Sequence, residues 1–270
     1  MNITFIGGGN MANAIIGGLL KQGAAANSLR VIEIDAAARA KLTQQFAVTT
    51  FERIDAAAVD ADCVVLAIKP QNMRAVAIAL RPHLKQQLVI SIAAGIRSAD
   101  LARWLGNSAR LVRAMPNTPA LVGAGCTGIY ATPGATKEDA DRAESILGAV
   151  GSTLRVTLEA QLDAITAVSG SGPAYVFYFM EALQQAALEL GLAPDAARHL
   201  ALETFAGAIK LAVTSTEDAA TLRARVTSKG GTTAAALASM EAAQIKAAII
   251  RAVKAADERS REMGDELGKT

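Results

Sequence analysis

Residues 3–12 read Ile3-Thr4-Phe5-Ile6-Gly7-Gly8-Gly9-Asn10-Met11-Ala12, and this stretch decides the fold. Its first four residues predict a short apolar strand, and the apolar positions that continue at helical spacing to Leu20 predict a helix. Glycine at position 7 permits a tight turn, glycine at 9 leaves room for a pyrophosphate, and alanine at 12 lets the helix pack close to the strand. The unpaired N–H groups of the helix N-terminus would face the phosphates. This strand, glycine turn and helix predict a dinucleotide-binding N-terminus.

The composition narrows the class of protein. A chain of 270 residues with 51% hydrophobic residues can build a large core, whereas 4% aromatic residues leave little material for a base-stacking nucleic-acid surface. The net charge of +2 provides no broad basic field, so neither nucleic acid nor an anionic membrane is expected as a partner.

The location of the protein is predicted from its start and its cysteines. The first residues read as a strand rather than as a secretory signal, and the apolar helical stretches are interrupted before they reach membrane-spanning length. Cys63 and Cys126 stand alone in the sequence, which suits buried thiols in a reducing compartment. We therefore expect a cytoplasmic protein.

Strands alternate with helices through the first half of the chain. Further strands are predicted at residues 29–34, 62–68, 88–95 (with small residues at its end), 110–115, 125–130 and 153–156, and helices at 36–46 and 136–147. The alternation predicts an α/β fold with a mainly parallel, Rossmann-type sheet. Because ligands bind beyond the carboxyl ends of such strands, the segment after Ile68, the small residues before Gly95 and the rigid Pro116–Pro119 loop are expected beside the ligand.

Two carboxylates follow the second strand and bear on the choice of cofactor. In a dinucleotide fold an acidic residue here bonds the ribose hydroxyls, and Glu33 and Asp35 are both placed to do so. A carboxylate would repel a 2′-phosphate, which favours NAD(H), but Arg39, Lys41 or Arg53 could supply the counter-charge that NADP(H) needs. The carboxylates could equally be ordinary polar residues at a strand end. The sequence predicts NADP(H) or NAD(H) and leaves the preference open.

Alanine-rich helical periodicity replaces the strand pattern from about Glu159. Helices are predicted at 173–191 and 194–214, then a short one capped by Thr216 and ending at Val226, and a last one from 232 to 263. We therefore predict two domains, a dinucleotide-binding domain at 1–158 and an all-α domain at 159–270. These helices are so apolar that we expect them to pack against a second copy as a homodimer, with a monomeric bundle as the alternative.

The break between the last two predicted helices is the second chemical feature. It reads Thr227-Ser228-Lys229-Gly230-Gly231-Thr232-Thr233, so two glycines expose main-chain amides among four hydroxyl groups. The N–H groups at the start of the following helix would suit a small carboxylate. The same residues would also serve as a plain turn between helices with Ser/Thr caps. The residues themselves thus predict no more than an anion site of carboxylate size.

Seven segments, taken together, resemble the Δ1-pyrroline-5-carboxylate reductase family, and they span nearly the whole chain. They are Phe5–Ala12, Leu66–Pro70, Ser91–Gly95, Arg113–Pro119, Val168–Tyr175, Val226–Thr233 and Ala255–Ser260. The resemblance implies NAD(P)H-dependent reduction of L-1-pyrroline-5-carboxylate to L-proline, the final step of proline biosynthesis, often with NADPH preferred. It also implies a helical domain that interleaves with a second subunit, giving a homodimer or a larger assembly of dimers.

The resemblance also implies roles for particular residues. The expected cofactor-binding residues are Ile6, Gly7, Gly8, Gly9, Asn10, Met11, Asp35, Ala67, Ile68, Lys69, Pro70, Ala93, Ala94 and Gly95. The expected substrate-binding residues are Ser228, Gly230, Gly231, Thr232, Thr233, Met115 and Asn117. Thr233 is the expected catalytic residue, since a protonated cyclic imine needs only a hydride and a group that orients it. Lys229 departs from the family, which usually has proline at this position.

Other chemistries find less support in the sequence. His83 and His199 stand without neighbouring metal-ligand residue types and are expected to be structural, so no metal site is predicted. A β-hydroxyacid dehydrogenase is the nearest alternative enzyme, but it would need a catalytic lysine where the Ser169–Tyr175 segment has none. A dinucleotide-sensing regulator without turnover is the alternative from another class.

Overall fold

The computed structural model describes residues 1–107 and 110–269. The chain forms two compact units: Met1–Ser171 together with the chain from Ala255 onward, and Gly172–Lys254. These compact units differ from the two domains predicted from the sequence, a dinucleotide-binding domain at 1–158 and an all-α domain at 159–270. The division into those two domains stays a prediction.

The first unit is built on a sheet of eight strands within the described residues. The strands are β1 (Ile3–Ile6), β2 (Leu29–Ile32), β3 (Thr49–Phe51), β4 (Cys63–Leu66), β5 (Leu88–Ser91), β6 (Leu111–Met115), β7 (Gly125–Ala131) and β8 (Gly151–Val156). Their order is β3-β2-β1-β4-β5-β6-β7-β8, and every described pair of neighbours is parallel except β6 and β7, which run antiparallel. The predicted α/β fold with a mainly parallel sheet is confirmed. The strand order reverses direction at β1 and β4, the place where such sheets open a ligand crevice.

Helices connect the strands of this unit. They are α1 (Asn10–Lys21), α2 (Ala36–Phe46), α3 (Met73–Leu80), α4 (Ser98–Trp104), α5 (Lys137–Leu147) and α6 (Gln161–Ile165), which a π-helical turn at Thr166–Gly170 follows. Short 3₁₀ turns lie at Ala26–Ser28, Pro70–Asn72, Arg81–His83, Thr118–Val122 and Gly148–Val150.

The core explains why the central strands are continuous apolar runs. Phe5 and Val65 pack into the cluster on the α1 side of the sheet, whereas Ile6 and Val64 pack into the cluster on the α3 side. Successive side chains of a strand point to opposite faces, so a sheet covered on both faces needs apolar residues at every position. Full burial of a side chain such as Phe5 contributes about 1.5–3 kcal/mol.

The second unit is helical. It contains α7 (Gly172–Glu189), α8 (Pro194–Thr214), α9 (Ala219–Arg225), α10 (Thr232–Ala242) and the first turns of α11 (Ile245–Lys269). Gly191, at φ +89°, follows α7, and Pro194 opens α8, as predicted.

Three details of the sequence prediction are wrong. The cap of α9 is Asp218, whose carboxylate accepts a hydrogen bond from the Thr221 N–H at 2.7 Å, and not Thr216. The last predicted helix is interrupted at Gln244, where φ is +54°. The sequence prediction missed this break because the alanine-rich pattern runs through it without a glycine or proline to mark it. The helix then continues to Lys269 rather than ending near residue 263. The sequence prediction also missed β3, a strand of three partly exposed residues.

The second unit leaves a large apolar surface exposed in the single chain. Tyr178 is 73% exposed, Leu190 83% and Val213 79%. Further exposed apolar residues of this unit are Val176, Phe177, Phe179, Leu183, Leu188, Leu192, Leu200, Ile209, Leu211, Val226, Met240, Ile245, Ile249 and Ile250. Within the residues that the structure describes, none of the helices combines the length and apolar character needed to cross a bilayer.

Candidate functional site

The glycine turn between β1 and α1 has the geometry that phosphate binding requires. Gly7 has φ +96°, and a Cβ added to it would lie 2.5 Å from the carbonyl oxygen of Ala67. Gly9 is the N-cap residue of α1, and a Cβ added there would meet no described atom within 4 Å. The turn is thus closed against β4 at Gly7 and open to solvent at Gly9. The residues present fit a dinucleotide whose pyrophosphate approaches the main chain of the turn.

Two side chains fix the shape of this turn. The Asn13 side-chain amide donates to the carbonyl oxygens of Gly8 at 2.7 Å and Gly9 at 2.9 Å. On the other side, the Gly8 N–H donates to Glu33 Oε2 at 2.9 Å. The Gly8 N–H and the carbonyl oxygens of Gly8 and Gly9 thus already have hydrogen-bond partners. The N-terminus of α1 remains as the part of the turn that can bind an anion.

The carboxylates after β2 also bind main chain. The second oxygen of Glu33 accepts from the Asp35 N–H at 3.0 Å, and Asp35 caps α2 by accepting from the Ala38 N–H at 2.6 Å. Arg39 donates to the carbonyl oxygens of Glu33 at 2.8 Å and Ile34 at 2.9 Å. Arg39, one of the three cations that could pair with a 2′-phosphate, is therefore already bound to carbonyl oxygens of this loop.

A cavity of about 700 Å³ lies at the carboxyl ends of β1, β2 and β4. Of the predicted cofactor residues, those lining it are Ile6, Gly7, Gly9, Ala67, Ile68 and Lys69. It is also lined by residues that the sequence analysis missed, Ile54, Asn72, Val76 and Ala79, which follow β3 or lie at the start and on the outer face of α3. Arg53 lines it as well. The volume is within the range of cofactor pockets.

The other predicted cofactor residues surround these positions. Gly8, Asn10 and Pro70 adjoin lining residues along the chain, Met11 follows Asn10 on α1, and Asp35 caps α2. Ala93, Ala94 and Gly95 follow the end of β5. Gly95 has φ +70°, and a Cβ on it would lie 3.1 Å from Leu267 Cδ1 and 3.3 Å from Met263 Cβ. The C-terminal turns of α11 therefore cover this loop, which no local sequence signal had indicated.

Met115 and Asn117, predicted to contact substrate, lie at the end of β6 and contact the π-helical turn. The Asn117 side-chain amide donates to Ser169, and its oxygen accepts from the Cys126 N–H at 2.9 Å. A Cβ added to Gly170 would lie 2.7 Å from Met115 Cε. The structure thus brings the Arg113–Pro119 and Val168–Tyr175 segments together, at a kind of turn that is common at functional sites.

The remaining predicted substrate residues lie in the second unit, in the loop before α10. Gly230 has φ +73°, and Gly231 is the N-cap residue of α10 and donates its N–H to the Ser228 carbonyl oxygen at 3.1 Å. A Cβ on Gly231 would lie 2.5 Å from Ser228 Oγ. The loop is compact, and Thr232 and Thr233 form the first turn of α10, whose N–H groups have no acceptor within a helix. Such a turn can bind a carboxylate.

Neither histidine belongs to these loops. His83 lies in the 3₁₀ turn Arg81–His83, and His199 is exposed on α8. Among the described residues, no group of three His, Cys, Asp or Glu side chains is arranged to hold a metal ion.

Comparisons with known proteins identify the family. Residues 159–263 match the family model for pyrroline-5-carboxylate reductase dimerisation, and residues 2–95 match that for NADP oxidoreductase, coenzyme F420-dependent. The pyrroline-5-carboxylate reductase of Pseudomonas aeruginosa is 47% identical over 268 residues, covering 99% of this chain and 98% of that protein. The chain belongs to the pyrroline-5-carboxylate reductase family.

Solved structures agree with this membership. The pyrroline-5-carboxylate reductase of Coxiella burnetii superposes with a TM-score of 0.91 at 41% identity, covering 97% of this chain and 98% of that one. The Plasmodium falciparum enzyme, solved with NADP bound, gives a TM-score of 0.87 at 28% identity, with 98% of each chain covered. The protein is an NAD(P)H-dependent oxidoreductase that reduces pyrroline-5-carboxylate to proline, and its helical region is a dimerisation domain.

Proposed function

We propose that, for the reduction, the strand ends of the first unit hold the cofactor and the loop before α10 binds the substrate. In this proposal the pyrophosphate of NAD(P)H is held by Gly7–Met11, with Ile6 beneath it and Asp35 toward the ribose. The nicotinamide half is flanked by Ala67–Pro70 and Ala93–Gly95. The observation that carries the proposal is the open main chain at Gly9 beside a cavity of about 700 Å³ at the switch point of the sheet.

We propose NADP(H) as the preferred cofactor, with Arg53 as the counter-charge for its 2′-phosphate. Arg53 lines the cavity beyond β3, on the side of the β2 carboxylates. Arg39 is bound to the carbonyl oxygens of Glu33 and Ile34. The NADP named for the Plasmodium falciparum structure also favours this choice.

The substrate carboxylate is proposed to bind Ser228, Gly230, Gly231, Thr232 and Thr233, with Met115 and Asn117 on the nicotinamide side. Bound NAD(P)H supplies the hydride. The protein's part is to place the imine carbon in line with that hydride, and positioning of this kind can account for a large share of the rate. Thr233 orients the ring nitrogen through its hydroxyl, and the main-chain N–H groups of α10 hold the carboxylate in place.

The proposed assembly is a homodimer formed by the helices of residues 159–270, and larger assemblies would be built from such dimers. Its support is the large apolar surface of α7, α8, α10 and the start of α11, which a single chain leaves exposed. We further propose the cytoplasm as the location, because Cys63 is a buried free thiol and Cys126 is also unpaired.

Oxidation of NADPH and NADH by the purified protein, followed by absorbance with pyrroline-5-carboxylate added, tests the proposal. We expect rapid substrate-dependent oxidation, faster with NADPH at limiting cofactor, and proline as the product. A control without substrate measures any background oxidation. Binding of both cofactors without substrate-dependent oxidation would contradict the reductase and favour a dinucleotide sensor. Equal efficiency with both cofactors would contradict the proposed preference alone.

A further inference from the structure

Glu159 joins the start of α4 to the middle of β6 in the first unit. Its carboxylate accepts two hydrogen bonds from Ser98, one from the main-chain N–H at 2.6 Å and one from Oγ at 2.6 Å. It also accepts from Arg113 at 2.5 Å, forming an ion pair. The three residues come from three separate parts of the chain: the start of α4, the middle of β6 and the link between β8 and α6.

The junction lies largely inside the protein. Arg113 is 8% exposed and Ser98 9%, and about a quarter of the Glu159 side chain is accessible. Burial by itself would raise the pKa of Glu159, but the hydrogen bonds from Ser98 and Arg113 outweigh burial and lower it. Glu159 is therefore ionised at neutral pH. Because a buried ion pair often stabilises a fold no better than apolar residues of the same size would, stability alone is a weak reason for this arrangement.

The groups that Glu159 connects lead directly to the proposed walls of the nicotinamide site. Ser98 comes three residues after Gly95, the last residue of the loop that follows β5. Arg113 comes two residues before Met115 on β6. From Glu159 the chain continues through α6 to the π-helical turn, where Ser169 accepts hydrogen bonds from Asn117. The segment from Glu159 to Ser169 is thus fastened at one end to the middle of β6 and at the other to the loop that follows β6.

We propose that Glu159 is a positioning residue for hydride transfer, which fixes the Ala93–Gly95 loop relative to Met115 through Ser98 and Arg113. The inference rests on the proposed location of the nicotinamide beside Ala93–Gly95. Glu159 itself takes no part in the chemistry. Its ionised carboxylate accepts three hydrogen bonds at once, and this keeps the two walls at a constant separation.

The variant Glu159→Gln tests this role because it keeps the size of the side chain and removes its charge. One of its two terminal atoms becomes an NH₂ group, which cannot accept from Ser98 or Arg113. Glu144→Gln is the matched control. Glu144, on α5, likewise accepts hydrogen bonds from a hydroxyl and an arginine, those of Thr153 (at 2.8 Å) and Arg155, but both of these partners lie on β8. Full-length variants are compared with the parent protein for kcat, KM, thermal midpoint and the isotope effect of NADPH deuterated at the transferred position.

We expect Glu159→Gln to lower kcat by about tenfold, because small misplacements of reacting groups have effects of this order or larger. KM for pyrroline-5-carboxylate should stay within about twofold, and the isotope effect should increase as hydride transfer becomes slower relative to product release. Glu144→Gln should leave all of these kinetic values unchanged. A purely structural role would lower the thermal midpoint while leaving kcat per folded molecule and the isotope effect as in the parent, and that result would overturn the inference.

Two further variants keep the test decisive. Should Glu159→Gln fail to fold, Ser98→Ala removes one of the three hydrogen bonds and should shift kcat and the isotope effect in the same direction by a smaller amount. Ala94→Leu tests the proposed position of the nicotinamide beside Ala93–Gly95, because it adds a bulky side chain to that loop. An unchanged KM for NADPH in Ala94→Leu would refute the proposed nicotinamide position, whereas a raised KM there with parental kinetics in Glu159→Gln would refute the role of Glu159 only.

Discussion

The side-chain amide of Asn117 donates to two atoms of Ser169, to the main-chain carbonyl oxygen at 3.2 Å and to Oγ at 3.0 Å. Its own oxygen accepts from the Cys126 N–H. Two of these contacts are to main chain and the third is to the Ser169 hydroxyl, so Asn117 holds the π-helical turn in place beside the loop after β6. A residue for which the family resemblance implied a substrate contact is a structural connection between two distant segments.

Replacement of Asn117 by aspartate should destabilise the protein. The carboxylate cannot donate, so it would face the Ser169 carbonyl oxygen without a proton between them. We expect a loss of about 1–3 kcal/mol in the free energy of unfolding, the usual cost of unsatisfied partly buried polar groups, measured by urea denaturation. Ser169→Ala removes only the hydroxyl contact and should have a smaller effect. A larger loss in Ser169→Ala than in Asn117→Asp would contradict this assignment.

The proposed cofactor preference makes a specific prediction for Arg53. Arg53→Ala should raise KM for NADPH about tenfold, since an exposed charge-assisted contact to phosphate contributes on the order of 1.4 kcal/mol, and should change KM for NADH little. Lys41→Ala is the control, because Lys41 is an exposed cation on α2 that lies outside the cavity lining. Steady-state kinetics with both cofactors provide the measurement. Equal changes for NADPH and NADH would show that Arg53 does not read the 2′-phosphate.

The role of Thr233 can be separated from that of its loop. Thr233→Ala should lower kcat with pyrroline-5-carboxylate by about tenfold or more while NADPH affinity, measured by fluorescence titration, stays nearly unchanged. Thr214→Ala is a suitable control, because Thr214 lies at the end of α8 in the same unit and its hydroxyl donates to the Lys210 carbonyl oxygen. Equal losses of turnover and cofactor affinity in Thr233→Ala would mean that the loop is only structural.

The fold could be predicted from the sequence because its signals are local. The apolar run of β1, the turn at Gly7 and the N-terminal proline of α8 each act within a few residues, and each is found where expected. The break at Gln244 could not be predicted, since a non-glycine residue adopts a positive φ there in a run of good helix formers.

The candidate site likewise has a part that could be predicted from the sequence and a part that could not. The glycine turn was predictable from residues 7–12, because its chemistry lies in the main chain of one short segment. The contact of Gly95 with Met263 and the junction of Glu159 with Ser98 and Arg113 were not, because each depends on residues far apart in the chain. A single sequence contains no record of which distant side chains meet.

The ion pair of Asp139 with Arg110 should make the stability of the first unit depend on pH. The Asp139 side chain is fully buried, accepts from Arg110 at 2.6 and 3.1 Å, and accepts from the Thr136 N–H at 3.0 Å within the cap of α5. The hydrogen bond from Arg110 lowers the pKa of Asp139 against the opposing effect of burial, and Thr136 lowers it further. A carboxyl whose pKa is lower in the folded state stabilises the fold above its unfolded pKa of about 3.9, and this contribution is lost as the pH falls through the folded pKa.

Asp139→Asn should therefore lower the free energy of unfolding by about 1–3 kcal/mol at pH 7, and its difference from the parent should narrow as the pH falls below about 4. Urea denaturation at pH 7, 5 and 3.5 and one fixed protein concentration measures this, the concentration being fixed because association affects apparent stability. Asp141→Asn is the control on the same helix: Asp141 pairs with Lys137 and Arg155 but is 45% exposed, so its loss should amount to no more than about 1 kcal/mol. If both variants lose the same stability, or if the Asp139→Asn difference is as large at pH 3.5 as at pH 7, then the buried charge of Asp139 is not the source of the stabilisation.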